Sequence, residues 1–164
     1  MSDPTPSSTS TPIYADRNSG ENFADATGMV NAYLARFAAR TTLRVDGGPV
    51  LAPVLDATGY AHLQRGSATS GVNVLDGQGV LMVFSPLMPV PITGREAFYR
   101  RLLELSFVTT SDAAFAINSH QDEVVVRCLR RLSALDYEEF EDILATVGEV
   151  ADRFDDELIR EFGT

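Results

Sequence analysis

Two histidines, one cysteine and a scatter of serines are the residues in this chain that could carry chemistry, and their spacing decides how far each can go. His62 falls in an alternating segment and His120 in the loop Ser119-His-Gln-Asp122. A tetrahedral zinc site needs three or four donors, and neither histidine has a Cys or His at ligand spacing. Both read as surface or half-buried imidazoles. A serine–histidine–acid triad assembles from distant positions, so spacing leaves it open, but no nucleophile elbow or oxyanion-type Gly loop accompanies the serines. Gly77-Gln-Gly79 lies in a strand-to-strand turn and not before a helix, so it is no phosphate cradle. The acids at 152–157 lack the Asp-x-Asp-x-Asp-Gly loop that wraps calcium and read as a solvated helix face. Cys128 alternates with Arg127 and Leu129, which suits a buried, inert thiol better than a nucleophile. The expectation is a chain without catalysis, cofactor or metal.

Among the elements that would hold these residues, the strongest pattern is a long acidic helix from about Asp136 to Phe162. Phe140, Ile143, Leu144, Val147, Val150, Ala151, Phe154, Leu158 and Phe162 recur every three or four residues and make one stripe. Asp136, with Glu139 three residues on, caps it. Its other face is acidic: the segment holds eleven Asp and Glu against two Arg, nine of the ten net negative charges of the chain.

The other elements follow in order. Residues 1–20 are rich in Ser, Thr and Pro without periodic apolar positions and read as a disordered tail, leaving 21–164 as a single domain. Phe23, Thr27, Val30, Leu34 and Phe37 mark an amphipathic helix over about 22–40. Pro53 makes the apolar piece 49–55 an edge strand at best. Tyr60–Arg65 and Gly71–Leu75 alternate as strands, and the unbroken run Val80–Phe84 suits a central strand covered on both faces. Pro86, Pro89 and Pro91 imply an extended connector. Thr93-Gly-Arg-Glu96 has the capping-box pattern and opens a helix to about Ser106, with Phe98, Leu102 and Leu105 on one line and Tyr99 and Leu103 beside it. Ala113–Asn118 and Glu123–Leu129 form a hairpin.

Composition bounds the rest. A chain of 164 residues with 45% hydrophobic content makes about one packed domain. A net charge of −10 disfavours nucleic acid and anionic membrane surfaces as partners. A single cysteine excludes an internal disulfide and fits a reducing compartment. The start of the chain has no basic or apolar region of a secretory signal, and no run approaches the roughly 20 apolar residues of a membrane span. A cytoplasmic location is expected.

The segment Glu96-Ala-Phe-Tyr-Arg-Arg-Leu-Leu-Glu-Leu-Ser-Phe107, then Ala113-Ala-Phe-Ala-Ile-Asn118, Val124-Val-Val-Arg127 and the acidic helix resemble the type III secretion chaperones of the Tir chaperone family. The resemblance covers about 93–162. It implies a helix–three strands–helix–two strands–helix α+β sandwich with a mainly antiparallel sheet, paired as a homodimer. Carried onto this chain, it implies a dimer seam at Phe98, Leu102, Leu105, Phe115 and Ile117. The implied client surface is the first helix and first three strands, with Leu34, Phe37, Leu63, Val72 and Val74, where an extended N-terminal segment of a secreted effector protein would wrap.

The function implied is a non-catalytic cytosolic chaperone that keeps one effector soluble and secretion-competent. The same fold could instead serve as a regulatory protein-interaction module outside secretion, which gene neighbours would separate. A small enzyme is the third class; it requires a polar pocket gathering a histidine with a carboxylate. Three helices clustered on one face of a sheet would leave the other face bare, and a bare apolar face of several hundred Å² marks an interaction site.

Overall fold

Two alternating segments and an unbroken apolar run close into a meander, and the later hairpin joins it to make one sheet. The computed structural model describes residues 14–40, 52–65, 68–108 and 110–163. Two short strands, β1 (Tyr14–Ala15) and β2 (Asn22–Phe23), precede helix α1 (Ala26–Arg40). Strands β3 (Tyr60–Arg65), β4 (Ala68–Leu75) and β5 (Val80–Pro89) follow, then α2 (Arg95–Val108), β6 (Ala114–Asn118), β7 (Glu123–Arg131) and α3 (Tyr137–Phe162). The large sheet has the order β3-β4-β5-β7-β6 with every neighbouring pair antiparallel. The expected α+β order of helix, three strands, helix, two strands and helix is what the chain adopts, with a small hairpin added in front.

One face of this sheet is the core. Val72, Val83 and Cys128 stand at matched register on β4, β5 and β7 and are all but fully buried. Ala61, Leu63, Val74, Leu81, Val124 and Val126 extend the layer. The apolar stripe of α3 lies across it, with α1 alongside and Phe115 of β6 set edge-on against Phe154 at 5.7 Å. A helix of 26 residues runs about 39 Å at 1.5 Å per residue, enough to cross the whole sheet. Its start is as the sequence implies: the Asp136 carboxylate accepts the Glu139 N–H at 2.9 Å.

Several boundaries differ from expectation, each for a local reason. Helix α1 begins at Ala26, not 22, because Asp25 caps it: its carboxylate accepts the Gly28 N–H and its carbonyl the Met29 N–H. Helix α2 begins at Arg95, past the Thr93 box. Gly94 sits at φ +67° and its carbonyl accepts the Phe98 N–H, so the left-handed glycine separates Thr93 from the helix. Strand β5 does not end at Phe84 but runs through Pro86 to Pro89, pairing with β7 across a register shift between Pro86 and Met88. Strand β4 pairs with it only as far as Phe84, so the prolines lie where β5 has an open side and a missing N–H costs little. Of the expected edge piece 49–55, residues 49–51 lie outside the described residues, and 52–55 form no strand; the Leu55 N–H donates to Asn31 Oδ1 at 2.9 Å.

The tail expected over 1–20 is also corrected. Residues 1–13 lie outside the described residues, but from Tyr14 the chain is part of the fold. The β1–β2 hairpin carries Asp16, 1% exposed, between α1 and α3. Its carboxylate accepts from the Tyr33 hydroxyl at 2.8 Å, the Tyr137 N–H at 2.9 Å and the N–H groups of Asn18 and Ser19.

Candidate protein-interaction site

Helix α2 has two apolar stripes, and the fold uses only one of them. Phe98, Leu102 and Leu105 point into the chain's own core. Phe98 meets Phe162 of α3 in a T-shaped contact at 5.0 Å, and Arg101 grips Glu157 at 2.5 Å and Glu161 at 3.6 Å. These contacts and the bond from the Phe115 N–H to Ser106 Oγ fix α2 along the β6 edge and against the end of α3.

The opposite stripe faces out. Leu103 is 72% exposed, Phe107 90% and Val108 72%, and with Tyr99 they line a shallow hollow of about 760 Å³ rimmed by Glu96, Arg100 and Glu104. Tyr99, Leu103 and Phe107 fall at i, i+4 and i+8, one above the other on the helix surface. Covering side chains of this size is worth about 1.5–3 kcal/mol each, so leaving Leu103, Phe107 and Val108 exposed on one helix face has a cost.

The residues expected to form interfaces are mostly elsewhere. Of the expected dimer seam, Phe98, Leu102 and Leu105 are core, Phe115 is half-buried on Phe154, and Ile117 alone is open, at 41% exposure. The helix is the expected one, but its free surface lies one residue further on. The expected client residues Leu34, Phe37, Leu63, Val72 and Val74 are all buried between the sheet and its helices. They support the surface and do not form it. The physical reason is common to both sets: the strongest apolar periodicity is claimed first by the chain's own core. The signal for the exposed strip is Tyr99–Leu103–Phe107, a second i, i+4, i+8 line.

The groups that could have carried chemistry stay apart. His62 and His120 are both exposed and lie on different elements. Cys128 is buried, and burial, first of all, pushes its thiol up from the ordinary value, against the pull of Arg130. Arg130 is held between Glu139 and Asp112, and the Glu139 hydrogen bond above all raises its guanidinium. Among the described residues no three metal-ligating side chains gather. No described helix is long and apolar enough to cross a membrane.

The sequence profile of the Tir chaperone protein (CesT) family matches residues 52–154. The chain belongs to that family. The match takes in the five-stranded sheet, α2 and most of α3. No curated protein sequence is significantly similar to this family member. Among solved structures, a chain of the ExsC–ExsE complex is 25% identical, with a TM-score of 0.64 over 82% of this chain and 96% of that one. A chain of the HopA1–SchA chaperone–effector complex shares the fold at 9% identity and a TM-score of 0.60, over 78% of this chain and 94% of that one. A chain of the heterodimeric ExoU–SpcU complex of the Pseudomonas aeruginosa type III secretion system does so at 16% identity and 0.54, over 77% and 95%.

Proposed function

We propose that this CesT-family chain is a non-catalytic chaperone of the bacterial cytosol that binds the N-terminal region of a type III secreted effector and keeps it soluble and competent for export. It does so as a homodimer paired through α2. The observation that carries this reading is the exposed Leu103, Phe107 and Val108, continued by half-buried Tyr99, on a fold of this family. A twofold axis across α2 would set one strip against its copy. Family membership and the similarity to chains from chaperone–effector complexes support the client class.

Two measurements test it. Light scattering on the full chain at micromolar concentration is expected to give twice 17.8 kDa, with an interface on the order of 1,600 Å². Phe107→Asp is expected to give the single mass with unchanged circular dichroism. Co-expression with the effector encoded nearest the chaperone gene is expected to give a co-eluting complex whose effector N-terminal region resists protease. A monomeric wild type that leaves every neighbouring effector insoluble would end the reading.

A further inference from the structure

Among the described residues the second face of the sheet is left partly open. Matched register places its side chains in rows: Leu75, Val80 and Arg131; then Tyr60, Asn73, Met82 and Leu129; then His62, Gly71, Phe84, Arg127 and Ala114. Their neighbours in the chain, Ala61, Val72, Leu81, Val83 and Cys128, face the helices. The rows are built as a surface. The rings of Tyr60 and Phe84 meet at 6.2 Å above Gly71, where a Cβ would lie 2.6 Å from Phe84 and 2.9 Å from Tyr60. Met82 and Phe84 are half-buried and Leu129 is 40% exposed, whereas Leu81 and Val83 are fully buried. In the second row Asn73 Oδ1 is buried with no hydrogen-bond partner among the described residues.

The charged side chains in these three rows are Arg127 and Arg131. Arg127 and Arg131 make no ion pair among the described residues, while Arg40, Arg95, Arg100, Arg101 and Arg130 all do. Beyond these rows the same face carries Glu123, four residues from Arg127 on β7, and its carboxylate is engaged by Asn118. Acids crowd the opposite side of the molecule, on α3.

We propose that this open sheet face is the docking site for an amphipathic helix of the client whose apolar stripe is flanked by acidic residues. The proposal rests on the chaperone reading above and names the chemistry of the client segment. An extended strand laid on these rows would leave its backbone groups unpaired against Tyr60, Met82, Phe84 and Leu129; a helix satisfies its own. Four strand spacings make the face about 19 Å wide, room for a helix of about 10–12 Å. Arg127 and Arg131 lie four residues apart on one strand, about 14 Å, which matches carboxylates two to three helical turns apart.

The test uses the full chain, labelled at its methionine methyls, and two fluorescein-tagged synthetic helices with the same leucine stripe, one flanked by Glu and one by Lys. The Glu peptide is expected to bind about tenfold more tightly at low salt, the sum of two exposed ion pairs, and Arg127→Glu with Arg131→Glu should reverse the order. The Met82 methyl signal should move and that of Met29, in the core, should not. Should the double variant fail to fold, Arg131→Gln alone is expected to weaken the Glu peptide about threefold. Equal affinity for the two peptides, or a still Met82 signal, overturns the proposal. Loss of binding in Phe107→Asp but not in the arginine variants assigns the peptide to α2 and overturns it too. A change in the light-scattering mass on mutating the arginines makes a second copy the occupant and is equally fatal to the proposal. If the effector complex forms while the peptide arm fails, only the face is misassigned; if no complex forms, the chaperone reading itself is lost.

Discussion

Asp16 shows how one side chain can hold three elements together. Its carboxylate is nearly inaccessible, and burial works to raise it. The bonds from the Ser19 N–H, the Tyr33 hydroxyl and the Tyr137 N–H more than offset this and hold it at about 2. The same contact drives Tyr33 upward, burial first and the Asp16 hydrogen bond next. Around it, Phe23, Tyr33, Tyr137 and Phe140 pack ring to ring, and Arg36 stacks over Tyr137 at 4.0 Å. Asp16→Ala leaves a buried hydroxyl and the Tyr137 N–H without their acceptor, and should cost about 3 kcal/mol in urea unfolding. The pH dependence has a definite sign. A carboxyl lowered from 3.8 to about 2 contributes its full share, about 2 kcal/mol, above pH 4 and loses it as pH falls toward 2. The stability gap between wild type and Asp16→Asn should therefore close between about pH 4 and pH 2. A gap constant across that range would show that the charge of Asp16 does not matter.

Elements, more than single residues, are legible in the sequence, and α2 shows where legibility stops. Periodicity finds the helix, and it finds the stripe that packs best, Phe98–Leu102–Leu105. It cannot say that this stripe is consumed internally, because that depends on where the end of α3 and the β6 edge come to rest. The β5 run shows the same limit: five apolar residues suggest cover on both faces, yet Met82 and Phe84 look out. The hairpin around Asp16 reads as tail because its anchors, Tyr33 and Tyr137, are 17 and 121 residues away. Exchange between stripes gives a clear prediction. Leu102→Ala should cost about 2–5 kcal/mol, the cost of a core cavity, and Leu103→Ala less than about 0.5 kcal/mol in the monomer. Light scattering should reverse the ranking, with Leu103→Ala weakening self-association. Similar thermal melts for the two variants would contradict the assignment of inner and outer faces. On β4, Gly71→Ala should destabilise by about 1–3 kcal/mol, because the added methyl must displace the paired rings of Tyr60 and Phe84.

At the scale of the whole molecule, charge and apolar surface are segregated. Helix α3 presents Asp142, Glu149, Asp152 and Asp156 to solvent, with Asp152 and Asp156 one turn apart as like charges, a weakly destabilising arrangement. Helix α2 exposes Leu103, Phe107 and Val108, and the second sheet face exposes Leu129 beside Arg127 and Arg131. On the chaperone reading proposed above, complexes that hold apolar segments of another chain need mutual repulsion, and an acidic face away from the proposed contact surfaces would supply it. Changing Asp142, Asp152 and Asp156 to Asn and Glu149 to Gln takes the net charge from −10 to −6 and touches no ion pair of the described fold. The melting temperature should hold or rise slightly as like charges separate, while solubility in ammonium sulfate at neutral pH should fall. The opposite pair of results, a lower melting temperature with solubility unchanged, would mean that these acids serve the fold and that the segregation of charge has no part in keeping the protein dispersed.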